Sequence, residues 1–64
     1  MYLIMVNEKY FIYRTYTYSG KPEYRMIDNF DIATKFKNYE DAKEIACIYG
    51  GVIVKIRLEV VRSF

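Results

Sequence analysis

One short stretch of this 64-residue chain carries the period of a helix, and the rest reads as strands and turns. Within residues 38–49, Ala42, Ile45, Ala46 and Tyr49 fall at i, i+3, i+4 and i+7, with Tyr39 on the flank of the same stripe. Asn38 is a good N-cap, and Glu40 and Asp41 place negative charge in the first turn, where the helix dipole favours it. Gly50-Gly51 then offers the positive φ at which helices commonly end. The spacing predicts a helix of roughly 10–12 residues. Its two alanines predict close packing on a sheet.

Strand patterns account for the remainder. Residues 52–62 alternate: Val52, Val54, Ile56, Leu58 and Val60 are apolar, while the intervening set Ile53, Lys55, Arg57, Glu59 and Val61 carries the charges. Alternation over about nine residues predicts a half-buried strand with the even positions inward. Residues 2–6 predict a first strand, and Asn7-Glu8-Lys9 its turn. Residues 10–18, dense in Tyr, Phe, Ile and Thr, predict a second strand. Ser19-Gly20-Lys21-Pro22 breaks it with hairpin chemistry, Pro22 blocking the ladder, and residues 24–27 return. Asp28-Asn29-Phe30-Asp31 is a further turn cluster, and residues 32–36 read equally as an edge strand or a loop. The expected fold class is therefore α+β: a mainly antiparallel three- to four-stranded sheet with one helix packed on one face, in the order β-β-β-(β)-α-β. Residues 1–64 form a single domain, with no internal repeat or linker.

Size and composition narrow the function classes. A domain this small buries only about 60% of the surface its unfolded chain exposes, so its stability is marginal. Cys47 is the one cysteine, which rules out an internal disulfide and fits a reducing, cytoplasmic setting. The apolar start ends at Asn7, too short for a signal core or a membrane span, so no membrane association is expected. Ten Lys/Arg against eight Asp/Glu give a net charge of +2, too slight to demand nucleic acid as a partner.

No catalytic constellation emerges. Histidine, the commonest general base and metal ligand, is absent. Cys47 has Lys43 and Glu44 as its helical neighbours, opposite charges that set up no electropositive thiolate site. Asp28 and Asp31 fit Asx turn-formers better than metal ligands, and Glu40, Asp41 and Glu44 fit a solvated helix face. Ser19-Gly20-Lys21 lacks the glycine spacing and following helix of a phosphate loop. The expectation is a chain that is not an enzyme and takes no metal or cofactor.

One three-turn helix shelters one face of a sheet and leaves the other open. With Phe11 and Tyr13 turned to the helix, Tyr10, Arg14, Tyr16 and Tyr18 face outward, joined by Lys55 and Arg57 from the last strand. Alternation alone leaves the opposite register of residues 10–18 open. Tyr and Arg are enriched at binding hot spots because they combine contact area with a polar tip. These six residues are the candidate partner-binding set, for a protein partner or a second copy in a homodimer. The alternative is weak nucleic-acid binding, with the tyrosines stacking bases and Arg14, Lys55 and Arg57 pairing phosphates.

The apolar start at residues 2–6, the tyrosine-rich hairpin, the run Ala33-Thr34-Lys35-Phe36-Lys37-Asn38-Tyr39-Glu40-Asp41-Ala42 into the helix, Gly50-Gly51 and the terminal Val/Ile strand together carry a likeness. In overall shape the chain resembles the small α+β proteins encoded by phages and prophages of Gram-positive bacteria. Phe, Ile, Tyr, Met, Asn and Lys, the amino acids with A/T-rich codons, make up 32 of the 64 residues, as in AT-rich genomes. The resemblance spans most of the chain without a diagnostic motif. It implies an inhibitor of a host or defence protein in the host cytoplasm, anti-CRISPR proteins being one such group, and it transfers no functional residues.

Overall fold

Two turns create the meander. At Asn7 and Glu8 the backbone is left-handed, with φ of 54° and 58°, and the Lys9 N–H closes on the Val6 carbonyl at 3.3 Å. Two successive positive φ angles give the turn the twist that adjoining strands need. Asn tolerates this conformation; Glu pays a steric penalty of about 1–2 kcal/mol. Replacing Glu8 with Gly is therefore expected to stabilise the domain by about 0.5–1 kcal/mol after the extra unfolded-state entropy of glycine, raising the melting temperature by about 3–6 °C. A thermal melt followed by circular dichroism checks this; a fall would assign Glu8 a stabilising contact. The second turn spans residues 17–21, where Gly20 has φ 87° and its N–H reaches the Thr17 carbonyl at 2.9 Å.

The computed structural model describes residues 1–57 and 61–62. In chain order these form β1 (Tyr2–Val6), β2 (Tyr10–Tyr16), β3 (Pro22–Ile27), α1 (Tyr39–Tyr49) and β4 (Val52–Lys55). The sheet is antiparallel throughout, with strand order β3-β2-β1-β4 and α1 against one face. The α+β architecture read from the sequence holds. Pro22 begins β3 opposite Tyr16 rather than preceding it, a position where its missing N–H costs little. The second strand ends at Tyr16, leaving Tyr18 in the turn.

The helix forms where its pattern predicts. The Asn38 side chain accepts from the Glu40 N–H at 2.9 Å, and Gly50, at φ 71°, ends it with its N–H on the Ala46 carbonyl. Ala42, Ile45 and Ala46 are buried. They pack with Ile4, Val6, Ile12 and Phe36, and Tyr2, Tyr24, Tyr49 and Ile53 close the edges of this core. Gly51 then brings the chain hard against β1: a Cβ there would lie 2.7 Å from Ile4 Cγ2 and 3.0 Å from the Met5 carbonyl oxygen. The glycine pair thus has two separate duties, a left-handed cap and a close approach.

Two register expectations are reversed. Ile12 and Arg14, not Phe11 and Tyr13, face the helix. In β4 it is Ile53, opposite Ile4, that joins the core, while Val52 and Val54 are 57% and 37% exposed on the other face. The cause is common to both strands. Each has large apolar or aromatic residues on both faces, so alternation does not choose, and Arg14 is satisfied inside by partners on the helix and on β3. Among the described residues the last strand ends at Lys55. One further bond, Ile56 N–H to the Met1 carbonyl at 2.8 Å, follows Lys55. The expected continuation through Leu58, Glu59 and Val60 lies outside the described residues.

The face away from the helix is consequently apolar over β1, β4 and the start of β2, built from Leu3, Met5, Phe11, Tyr13, Val52 and Val54, while Thr15, Glu23 and Arg25 make its β3 end polar. Leu3 is nonetheless only 1% exposed. The loop of residues 28–37 reaches this side, where Phe30 meets Phe11 edge-on at 5.6 Å. It then inserts its end between β1 and β2, which pair only at Met5–Phe11 and Val6–Tyr10 before splaying. Thr34 N–H bonds the Ile12 carbonyl at 3.1 Å, and its hydroxyl accepts from the Arg14 N–H at 2.7 Å. Phe36 exchanges two 2.8 Å backbone bonds with Tyr2. Of residues 32–36, open between strand and loop in the sequence, residues 34–36 are a backbone wedge that fills the gap.

Candidate functional site

The six predicted residues do not share one surface. Tyr10, Arg14 and Tyr16 alternate along the helix-facing side of β2; Tyr10 and Arg14 are partly buried and Tyr16, at the strand end, is exposed. Tyr18 stands free at the hairpin tip. Lys55 lies at the end of the opposite edge strand, across from Tyr2, and Arg57 is exposed beyond it. The outward-facing set expected on β2 is thereby corrected, because the helix lies over the side that carries it.

Arg14 has a structural occupation instead. Its guanidinium donates to Asp41 on α1 and, through Nε, to the Tyr24 hydroxyl on β3, both at 3.2 Å. It also stacks within 5.5 Å of the Tyr24 ring and 4.9 Å of the Phe36 ring. Burial opposes its charge, yet the hydrogen bonds to Asp41, Tyr24 and Tyr16 outweigh this and hold its pKa above the ordinary arginine value. The ion pair alone is worth about 0–1 kcal/mol, since Asp41 is half exposed. Stacking on two rings adds a contribution of about 0.5–2 kcal/mol per ring. Arg14 is a latch joining α1, β2 and β3.

A more open feature lies on the opposite side of the helix. Tyr39, Lys43 and Ala46 follow one another along a stripe of α1, parallel to the β4 edge. Between that stripe and the helix side of β4 runs a groove of about 750 Å³, floored by Ala46 and Ile53, closed at one end by Tyr2 and Tyr39, and flanked by Lys43 and Lys55. The Tyr2 and Tyr39 rings meet edge-on at 5.6 Å, which fixes that end. No carboxylate lines the groove, and neither lysine belongs to an ion pair among the described residues. Of the six candidate partner-binding residues, only Lys55 lines it. The usable signal for the others was the Gly50-Gly51 junction, which turns the chain straight from helix to strand and forces the two to run side by side.

What this arrangement can do chemically is bind. Tyr and Lys flank an apolar floor, and β4, at the sheet edge, has one row of backbone N–H and C=O groups without a partner strand among the described residues. Cys47 is exposed beside the groove. Among the described residues no cluster of His, Cys, Asp or Glu could hold a metal ion, and no helix is long and apolar enough to cross a membrane. Comparison with protein-family models, with curated proteins and with solved structures finds no match to this chain.

Proposed function

We propose that this chain is a small non-catalytic protein-binding module whose contact surface is the β4 edge. The observation that carries the reading is the combination at one strand: a sheet edge unpaired among the described residues, two exposed valines on one side and an apolar groove on the other. Apolar sheet edges invite pairing, and three of the four residues of β4 are apolar, with no proline among them and Lys55 its one charge. The resemblance to small phage-encoded proteins supplies the kind of partner, a host or defence protein in the cytoplasm, with the chain acting by occupying its partner's surface.

The test compares the wild-type chain with a Val52→Asp, Val54→Asp double variant. Both positions are exposed, so the variant is expected to keep its far-ultraviolet circular dichroism and melt cooperatively. Each is immobilised, exposed to extract from cells that naturally make the chain, and the retained proteins are identified by mass spectrometry, purified and titrated back. A purified protein that binds wild type and binds the variant at least ten-fold more weakly supports the reading. Retention of the same proteins by both, with equal affinity, refutes it.

A further inference from the structure

The groove beside β4 fits an occupant of definite chemistry. Four residues of strand span about 13 Å, and the helix stripe from Tyr39 to Gly50 spans about 16 Å, so the two walls match a segment of four or five extended residues. An extended peptide laid along β4 completes the ladder through its backbone, the mode by which sheet edges recruit strands. Side chains alternate, so those opposite Ile53 and Lys55 both enter the groove. The first meets an apolar floor. The second meets Lys55, with Lys43 facing it from the helix and, among the described residues, no carboxylate in between. Glu40, Asp41 and Glu44 line an adjoining depression that shares Lys43 and Cys47 with the groove, and their charge disfavours an acidic group there.

We infer that the groove between α1 and β4 binds an extended acidic segment of a partner protein as a fifth strand, with an apolar side chain against Ile53 and a carboxylate between Lys43 and Lys55. This rests on the protein-binding reading above and names its ligand class. A peptide is favoured over a single nucleic-acid strand because the β4 edge, unpaired among the described residues, offers alternating donors and acceptors at strand spacing, while two cations among those residues line the groove.

The probe is a fluorescein-labelled peptide, Ser-Glu-Glu-Val-Ile-Val-Ser, titrated into the full chain by fluorescence anisotropy. Companions are the same peptide with Lys in place of both Glu, a form N-methylated on alternate amides, and a labelled oligothymidylate. The acidic peptide is expected to bind at least ten-fold more tightly than the other three. Lys43→Glu with Lys55→Glu is expected to reverse the preference between the Glu and Lys peptides, a result that mere unfolding of the variant cannot produce. Amide shifts in the nuclear magnetic resonance spectrum should concentrate at residues 52–55 and 43. Equal binding of the Glu and Lys peptides, indifference to N-methylation, or preference for the oligonucleotide overturns the inference. So does the absence of binding by any probe, including the case where light scattering shows a second copy of the chain covering the edge. If the peptide fails while a partner sensitive to Val52→Asp, Val54→Asp is still captured, the ligand class is wrong and the protein-binding reading survives.

Discussion

Replacing Phe36 with Ala is expected to cost about 3–5 kcal/mol and to leave the chain largely unfolded at 37 °C. A domain of this size holds roughly 3–10 kcal/mol in total, at the usual per-residue stability. Phe36 is 2% exposed, contacts the helix-side core, and carries the Arg14 guanidinium on its ring. Its backbone also holds the N-terminal end of β1. The substitution opens a cavity beneath the latch and removes one of the two rings on which Arg14 stacks. Lys37→Ala, one residue along and exposed, should stay within about 0.5 kcal/mol. Urea denaturation of both variants is the measurement. A Phe36→Ala loss below about 1 kcal/mol would remove the loop from the core.

The second large effect separates the two isoleucines of α1. Ile45 is 7% exposed inside the Ala42/Ala46 stripe, whereas Ile48 is 68% exposed. Ile45→Ala should cost about 2–5 kcal/mol through lost burial and the void left behind. Ile48→Ala should be neutral or slightly stabilising, since alanine is the better helix former. Equal losses at both positions would mean that something covers Ile48 in solution, and light scattering on the wild-type chain would then show whether it is a second copy.

How far the sequence reveals this molecule depends on which kind of information each element uses. The helix is legible because its cap, stripe and terminating glycines all agree, and β1 is legible because turn residues bound it closely. Registers are not. Tyr10, Ile12, Arg14 and Tyr16 make as credible an outer face as Phe11, Tyr13 and Thr15, and Val52-Ile53-Val54 is apolar without interruption. What decides is tertiary: Asp41, Tyr24 and Phe36 make an interior home for Arg14, and Gly51 fixes which residue of β4 first meets β1. The wedge at residues 34–36 is invisible for a different reason. It works chiefly through main-chain groups, which every residue but proline possesses, so side-chain periodicity carries no trace of it. The groove was hidden in turn by the β4 register, because with Ile53 assigned to the wet face there was no apolar floor to find.

The partners of β1 arrive from three parts of the chain, two of them remote. Only Met5 and Val6 meet a neighbour across a tight turn; Tyr2 waits for Phe36, and the strand's other edge waits for residues 52–55. Joining Tyr2 to Lys55 means closing a loop of nearly the whole described length before any reward is collected. The hairpin of β2 and β3 is local and can form early, while the centre of the sheet assembles last. Such dependence on distant contacts favours slower refolding than that of helical bundles, whose contacts are local. It also leaves the apolar faces of β1 and β4 open to wrong neighbours for as long as they wait.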